Sequence, residues 1–338
     1  MKIFFLTSHY YDLYKPIFKE LKNRGHQVFL KEDKQLPADF NYRNVNWLVK
    51  LFCWFYRFGD SYLIRYWKRQ IRDNRAYGDA YDIFLCINGV SFHPYLLNHL
   101  KKNNPNIRSS LYVWDTSRLY DYFRYKNYFD KVFSFDYEDA SRYKDVHFLS
   151  SYWTESSKKA TEYQLSIVGS DHDDRLNIVS QVYKQMKDND LSAFFKIVLK
   201  RPVQPDTWYR KILHNHEYKK ALCDWKAKKE LPYTTEKIFS VDEVIDIIDR
   251  SECILDTEMP IQTGASQRVI WALARGKKVI STNKNLELMP FYNNKQIMFI
   301  DRKKPTIDIG FIKNSITSEN NPELLKLRID NWVKILIS

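Results

Sequence analysis

Short apolar runs that end in polar residues recur along this chain of 338 residues, and they restrict its fold more than any other feature. The first run, Lys2–Leu6, is followed by a helix-like stretch over Pro16–Asn23, a glycine at Gly25 and a second run over His26–Leu30. Apolar runs of about four to eight residues bounded by turn residues are typical of buried strands. Strands that alternate with helices indicate βαβ units, so the sequence predicts an α/β fold with parallel strands.

Three more apolar runs in the first half of the chain each end in a polar side chain. The polar residues are Asn88, Asp115 and Asp136, and a short run over His147–Leu149 follows them. The carboxyl ends of parallel strands lie at one edge of the sheet, and open α/β sheets bind ligands there. We therefore predict a first domain over residues 1–155 with a polar binding edge.

The same pattern starts again in the second half. Gln164–Ser170 predicts a strand, Arg175–Met186 a helix with one apolar face, and Phe194–Leu199 another strand. Two domains suit the length of the chain, since single cores stop growing at about 250–300 residues. We predict a second domain over residues 160–318 and a C-terminal helix within residues 319–338 that packs back on the first domain. The inward-facing residues of this helix are predicted to be Leu325, Ile329, Trp332, Val333 and Leu336.

A turn of small residues opens a predicted helix late in the chain. Its sequence is Thr263-Gly264-Ala265-Ser266-Gln267-Arg268, and a glycine at Gly276 and a buried strand over Lys277–Asn283 follow. Helix N-termini carry unpaired N–H groups and the positive end of the helix dipole, which suits a phosphate group. Any αβ unit also has a polar helix start and a glycine stop, so for the turn alone this ordinary interpretation stays open.

Composition narrows the classes of partner and compartment. The net charge of +13 favours anionic partners such as nucleotides, nucleic acid or an anionic membrane surface. The four cysteines lack Cys-x-x-Cys spacing, which indicates a reducing compartment. No apolar run approaches the roughly 20 residues that span a bilayer, and the N-terminal run is too short for a signal peptide. We expect a cytoplasmic protein that is soluble or peripheral on the inner face of the cell membrane.

An aromatic and basic stretch runs from Trp47 to Trp67, with nine aromatic residues in 21 positions. Such a segment is too charged to span a membrane but suits its interface. Trp47, Trp54, Arg57 and Trp67 are therefore candidate residues on the acceptor or membrane side. Alternatively, the stretch forms helices that pack their aromatic residues on the first sheet while Arg and Lys side chains extend to solvent. We do not expect nucleic acid as a partner, because no reader motif accompanies the aromatic residues.

Taken together, these features resemble the GT-B glycosyltransferases that build bacterial capsule, O-antigen or lipopolysaccharide. The resemblance is carried by the two α/β halves, the Gly169-Ser170 turn with Arg175 on the following helix, and the unit over Thr263–Asn283. It implies two Rossmann-like domains that face each other across a cleft. It also implies a hexosyltransferase-like enzyme that moves a sugar from a nucleotide-sugar donor to a surface-polysaccharide or lipid-linked glycan acceptor. The nucleotide sugar is a substrate here, and no cofactor is expected.

The resemblance places the donor on the second half. A leaving nucleoside diphosphate needs positive groups and N–H donors, and the candidate donor-binding residues would supply them in place of a metal ion. Asp171-His172-Asp173 has an Asp-x-Asp spacing, but we expect a phosphate-facing, acceptor-facing or helix-capping turn there and no metal. The candidate donor-binding residues are Gly169, Ser170, Arg175, Lys200, Arg201, Glu258, Thr263, Gly264, Ala265, Ser266, Gln267 and Arg268.

One position departs from the family pattern. Many relatives carry a ribose-binding Glu on the helix after the turn, where this chain has Trp271. Trp offers one donor and no acceptor, so Glu258 or Asp256 would have to replace that acid. The departure leaves two alternatives open: a non-catalytic nucleotide- or glycan-binding subunit of a polysaccharide assembly complex, or a nucleotide-sugar epimerase on the same fold.

A general base for the acceptor hydroxyl would be a carboxylate or a histidine. Asp115, at the end of a predicted strand, is the first candidate, and its alternative role is to cap the next helix. His9, in the loop after the first strand, is the second candidate.

Overall fold

The computed structural model describes residues 1–9, 12–33, 61–155, 159–204, 208–314 and 321–338. The candidate residues Trp47, Trp54 and Arg57 lie outside these ranges. The chain divides into two units. The first unit comprises Met1–Thr154, Pro260–Gln267 and Pro322–Ser338, and the second comprises Glu155–Met259 and Arg268–Asn321.

The first unit contains a six-stranded parallel sheet with strand order β2-β1-β3-β4-β5-β6. Its strands are β1 Lys2–Thr7, β2 Gln27–Glu32, β3 Ile83–Ile87, β4 Arg108–Val113, β5 Lys131–Ser134 and β6 Val146–Phe148. On β1, Phe4 pairs with Phe29 of β2 on one side and with Phe84 of β3 on the other. The apolar runs of the first half are therefore the buried strands that the sequence predicts.

Several helices of the first unit bury an apolar face. The helices of the first unit are α1 Tyr14–Asn23, α2 Ser61–Asp73, α3 Pro94–Asn103, α4 Tyr137–Arg142, α10 Pro322–Lys326 and α11 Ile329–Ile337, with 3-10 turns at Arg75–Gly78 and Lys126–Tyr128. In α1 the buried residues are Ile17 and Leu21, one turn apart. The His93 ring accepts a hydrogen bond from the Tyr95 N–H (3.0 Å) and caps α3.

Trp67 belongs to the core of the first unit. Its side chain is fully buried, and its indole N–H donates to the Ser91 carbonyl oxygen (2.7 Å). The prediction that Trp67 faces an acceptor or a membrane is wrong for this residue, because its ring packs among core side chains such as Tyr77. The helix-packing alternative describes Trp67 correctly.

The second unit contains another six-stranded parallel sheet, with strand order β12-β11-β10-β7-β8-β9. Its strands are β7 Tyr163–Ser170, β8 Ala193–Val198, β9 Thr234–Thr235, β10 Ser251–Asp256, β11 Lys278–Ser281 and β12 Ile297–Phe299. Its helices are α5 Arg175–Asp188, α6 Trp208–Lys229, α7 Val241–Asp249, α8 Gln267–Ala274 and α9 Ile309–Lys313, with a 3-10 turn at Lys284–Leu288. The edge strand β9 is only two residues long, too short for the sequence pattern to reveal it.

The C-terminal residues pack with the first unit, where the Trp332 ring contacts Tyr112 with centroids 4.8 Å apart. The sequence predicts one amphipathic helix, whereas the structure has two, α10 and α11, because Arg328 pairs with Trp153 in a parallel bridge at the break. Leu325 was predicted to face inward but is 44% exposed, since the break changes the face that α10 presents.

The two parallel sheets confirm the α/β class that the sequence predicts. One segment differs from the predicted domain layout. Residues 260–267 were assigned to the second domain, whereas they pack with the first unit.

Candidate functional site

The first unit has a carboxyl edge built from the ends of its parallel strands. The connection after β1 leads to β2 on one side of the sheet, and the connection after β3 leads to β4 on the other side. The direction of strand order therefore reverses between β1 and β3. Such a switch point is the usual ligand position in an open α/β sheet. His9 follows β1 and is exposed there. Its ring stacks on Tyr14 (4.2 Å between centroids), and its Nδ1 lies 4.0 Å from a Glu32 carboxylate oxygen.

Asp115 lies just after β4 at the same edge and is half-buried. Its Oδ1 accepts hydrogen bonds from the Thr116 N–H (2.9 Å) and the Gln262 side-chain amide (2.9 Å). Its Oδ2 accepts one from the Tyr122 hydroxyl (3.1 Å). Burial raises the pKa of Asp115 above its ordinary value, although these donors offset part of the effect. Asp115 is thus a desolvated carboxylate held by three donors.

Residues 260–267, which we call the strap, are held against this edge by Asp136. The Thr263 N–H and hydroxyl donate to the two oxygens of the buried Asp136 carboxylate (2.9 and 2.7 Å). The Glu138 N–H in turn donates to the Thr263 hydroxyl (3.1 Å). Farther along the strap, the Gln267 amide donates to the Tyr152 carbonyl. These contacts explain why the strap belongs to the first unit.

Gly264 lets the strap approach the sheet. A Cβ built on Gly264 would lie 2.5 Å from the Phe135 carbonyl oxygen and 2.6 Å from the Phe135 ring. No side chain fits in that space.

This arrangement changes the interpretation of the predicted phosphate cradle. The N–H and hydroxyl of Thr263 are occupied by the Asp136 carboxylate, an anion that belongs to the protein itself. Thr263 is therefore not available to a phosphate in this structure. Gly264 and Ala265 are buried, which fits close packing of the backbone rather than an open cradle.

Asp136 is a residue whose importance the sequence analysis missed. It is fully buried, and besides Thr263 it accepts both a guanidinium N–H of Arg118 (3.0 Å) and the Asp139 N–H (3.2 Å). Its position at a strand end was visible in the sequence. Its partner on the strap, 127 positions away, was not.

The second unit has its own switch point, between β7 and β10. Arg175, at the start of α5, is buried there. It donates to the Thr257 hydroxyl (2.7 Å), the Thr257 carbonyl and the Ser170 carbonyl (2.7 Å). Gly169 makes room for it, because a Cβ at Gly169 would lie 2.8 Å from the Arg175 Nη1. The predicted residues Gly169, Ser170 and Arg175 thus come together, with the Arg175 side chain bonded to Ser170 and Thr257.

A second guanidinium, that of Arg268, lies in the first turn of α8. One of its Nη atoms donates to Asp256 (2.7 Å), and its buried Nε has no hydrogen-bond partner among the described residues. Burial, and next the charge of Arg268, lower the pKa of Arg175 to about 9. Two guanidinium groups therefore lie near each other at this edge, together with the carboxylates of Asp256, Glu258 and Asp173.

Lys200 and Arg201 follow β8 at the same edge of the second sheet, as predicted, and both are exposed. The Arg201 guanidinium lies over the Trp225 ring, 5.6 Å from its centroid. The indole N–H of Trp225 is buried and unpartnered within the part of the chain that the structure describes. Trp225 is a second residue that the sequence analysis missed, because it lies in a helical run whose polar composition predicts a solvated face.

Glu258, a candidate for ribose binding, is engaged by the protein. Its carboxylate accepts hydrogen bonds from the Thr282 hydroxyl (2.5 Å) and from Arg302, which also pairs with Asp174. Burial raises the pKa of Glu258 above its ordinary value. Arg302, which the sequence analysis did not single out, organises this cluster.

Trp271 is buried in α8, and its indole N–H has no hydrogen-bond partner among the described residues. It therefore packs as a core side chain.

In the Asp171-His172-Asp173 turn, Asp171 pairs with Lys228 (3.0 Å) and His172 with Asp173 (3.0 Å).

Two negative findings apply to the described ranges only. Within them, no group of three or more His, Cys, Asp or Glu side chains is arranged to hold a metal ion. No helix in these ranges combines the length and apolarity needed to cross a bilayer.

Sequence comparison finds no matching protein-family model and no matching curated protein. Structure comparison finds α,α-trehalose-phosphate synthase (UDP-forming) from Burkholderia vietnamiensis. It is 8% identical to this chain over 100% of this chain and 99% of that one, with a TM-score of 0.55.

Two further solved structures are similar at TM-scores of 0.48, too low to bear on the fold. HepE of Anabaena, in complex with UDP and glucose, is 8% identical over 99% of this chain and 95% of that one. Sucrose-phosphate synthase of Thermosynechococcus elongatus is 12% identical over 100% of this chain and 95% of that one. Together with the two six-stranded parallel sheets, the similarity to the trehalose-phosphate synthase shows that this chain has the GT-B fold.

Proposed function

We propose that this protein is a glycosyltransferase that takes its sugar from a nucleotide-sugar donor, and that the second unit binds the donor diphosphate. The observation that carries this proposal is the guanidinium pair, Arg175 and Arg268, at the switch point of the second sheet. An anion bound beside these two cations is stabilised by both charges, and the Asp256 carboxylate that pairs with Arg268 offsets part of this effect. Arg175 is buried and donates to protein oxygens, whereas the Arg268 side chain is 20% exposed and can meet a ligand.

The same residues suit the chemistry of transfer. Negative charge develops on the diphosphate as the sugar leaves, and fixed cations stabilise it without a metal ion. Arg268, Lys200 and Arg201 are the residues to which we assign this task. Of the predicted residues, Gly169, Ser170 and Arg175 would act by shaping the site. The trehalose-phosphate synthase is UDP-forming, which puts UDP-sugars first among the donors to test.

We expect nucleotide binding to depend on Arg268. Arg268→Gln should weaken UDP binding by about 10- to 100-fold, because a hydrogen bond to a charged group contributes about 1.5–3 kcal/mol. Isothermal titration calorimetry with UDP, GDP and CMP, and with their sugar conjugates, measures the change. A ligand at about 100 times its Kd stabilises a folded protein by roughly 2.7 kcal/mol, so thermal unfolding gives a second readout.

Arg250→Gln is the matched control. Arg250 lies on the same unit at the opposite, amino edge of the sheet, where it pairs with Glu162 and Asp246. The control should bind nucleotide like the unaltered protein. If Arg268→Gln and the unaltered protein bind UDP with equal affinity, the proposed position of the diphosphate is wrong. If no nucleotide binds at all, the proposed glycosyltransferase function is wrong.

For the first unit we propose Asp115 as the general base, with His9 as the alternative. In a direct displacement, the acceptor O–H proton passes to the Asp115 carboxylate and the acceptor oxygen bonds to the anomeric carbon. The bond from that carbon to the diphosphate breaks, and its electron pair stays on the diphosphate.

The pH dependence of transfer tests this role. Only the ionised carboxylate accepts a proton, so activity is lost as the pH falls through the pKa of Asp115. Because burial raises this pKa, the loss should begin at a higher pH than for an ordinary aspartate, whose pKa is about 3.9. The profile of kcat/KM against pH should show this limb, and Asp115→Asn should reduce kcat by about 100- to 10,000-fold. If kcat/KM stays constant as the pH falls to the ordinary pKa of an aspartate, the profile would instead favour His9 or another group as the base.

We propose a surface-polysaccharide or lipid-linked glycan as acceptor, of the capsule, O-antigen or lipopolysaccharide type, and a cytoplasmic location on the inner face of the membrane. The net charge of +13 supports an anionic surface as partner. Helix α2 adds to this support, because its exposed cations are spaced as one face of a helix. These cations are Arg65, Lys68, Arg69 and Arg72.

A non-catalytic nucleotide- or glycan-binding subunit is the second candidate. Trp271 favours it, because a buried indole stands where a ribose-binding acid is expected. Nucleotide binding without release of UDP from any UDP-sugar, in the presence of glycan acceptors, would support this candidate over the enzyme.

A further inference from the structure

The strap brings a side chain from the second half of the sequence to the carboxylate of Asp115. The Gln262 amide donates to Oδ1 of Asp115, which also accepts from the Thr116 N–H, so both acceptor positions of Oδ1 are used. The other oxygen, Oδ2, accepts from the Tyr122 hydroxyl only among the described contacts. Oδ2 is therefore the oxygen with remaining capacity for a proton.

The position of Gln262 is fixed by its neighbour on the strap. Thr263 is held at two points by Asp136, and Gly264 lies against Phe135 with no space for a side chain. A backbone restrained over these residues loses little entropy when the Gln262 side chain forms its hydrogen bond. The hydrogen bond to Asp115 is thus preorganised by contacts that do not involve Asp115.

We propose that Gln262 is a positioning residue, which orients the Asp115 carboxylate through its hydrogen bond to Oδ1, and that Asp136 acts through Thr263 to hold Gln262 in place. This inference rests on the proposed function, because it concerns the candidate base of that reaction. It adds that a segment from the second half of the sequence completes the catalytic edge of the first unit.

The charged and titratable groups around Asp115 act in opposite directions. The charge of Asp136 raises the pKa of Asp115, whereas hydrogen bonds from Gln262 and Tyr122 lower it. Arg118 lies against Asp136 and pairs with its carboxylate (3.0 Å). Gln262 is neutral, so replacing it changes the hydrogen bond and leaves these charges in place.

The test compares two glutamines of the strap in the full-length chain. Gln262→Met removes the amide that touches Asp115, and Gln267→Met removes an amide that donates to the Tyr152 carbonyl instead. The readout is the pH titration of the Asp115 carboxyl carbon by NMR in protein labelled with ¹³C-aspartate, with the signal assigned from Asp115→Asn. Gln262→Met should make Asp115 about a tenfold weaker acid, and Gln267→Met, which loosens the strap at its far end without touching Asp115, should shift the titration less.

Two further variants keep the proposal open to refutation. Gln262→Asn keeps the amide but shortens its reach, so it should shift the titration in the same direction even if Gln262→Met folds poorly. Thr263→Val removes the hydroxyl that donates to Asp136 and should also shift the titration of Asp115, because Gln262 is then held less firmly. An unchanged Asp115 titration in the Gln262 variants, or an equal shift in Gln267→Met, would overturn the proposal.

These outcomes are separate from those of the proposed function. The titration requires no substrate, so it reports on Gln262 even if no transfer is observed. If the titration shifts as expected but Asp115→Asn retains full transfer activity, the positioning role stands and the role of Asp115 as base fails.

Discussion

Replacing Lys278 by methionine should destabilise the second unit by about 3–5 kcal/mol. Lys278 lies in β11 and is 1% exposed. Its ammonium group donates to three backbone carbonyls, those of Phe311 (2.9 Å), Ile312 (2.7 Å) and Asn314 (2.6 Å). Methionine fills a similar volume but leaves these buried acceptors without a donor, and it removes a cation from the C-terminal end of α9.

Urea denaturation followed by tryptophan fluorescence measures this loss as a change in the free energy of unfolding. Lys284→Met is the control, because Lys284 is exposed at the start of a 3-10 turn, and we expect a change within about 0.5 kcal/mol. A loss below about 1 kcal/mol for Lys278→Met would show that the three carbonyls find other donors.

Replacing Gly264 by alanine should displace the strap and cost roughly 3–5 kcal/mol. The added Cβ would lie 2.5 Å from the Phe135 carbonyl oxygen, a backbone atom that cannot rotate away. If the strap moves to relieve this clash, the hydrogen bonds from Thr263 to the buried Asp136 are lost. The expected loss of stability in Gly264→Ala therefore has two causes, the steric clash and the loss of charge-assisted hydrogen bonds.

Thermal and urea unfolding measure the loss, and amide hydrogen exchange of Thr263 reports directly on the strap. Gly78→Ala is the matched control, since a Cβ at Gly78 meets nothing within 4 Å, and it should be neutral or slightly stabilising. Protected exchange at Thr263 in Gly264→Ala, together with unchanged stability, would mean that the strap accommodates a side chain.

The repeating pattern of apolar runs predicted the fold class because burial on both faces of a parallel sheet needs continuous apolar strands. It located β1, β3 and β7 closely, since each is a buried run bounded by turn residues. The pattern failed for β9, which is two residues long, and for the break between α10 and α11, which depends on the pairing of Trp153 with Arg328.

The candidate site was predicted in part. The ends of strands placed Asp115, Lys200 and Arg201 at carboxyl edges, and the structure places them there. A helix start predicted donors at Thr263, but it could not show that Asp136 occupies them. The aromatic stretch likewise could not show that Trp67 is a core residue.

The sequence by itself determined the alternation of strands and helices, the class of fold and which strand ends carry polar side chains, because these follow from local periodicity and propensity. Only the tertiary structure decided that the strap packs with the first unit, that Gln262 meets Asp115, and that Arg268 lies near enough to Arg175 to lower its pKa. The physical reason is distance along the chain. Contacts between residues about a hundred or more positions apart depend on the complete packing of the chain, which no local pattern contains.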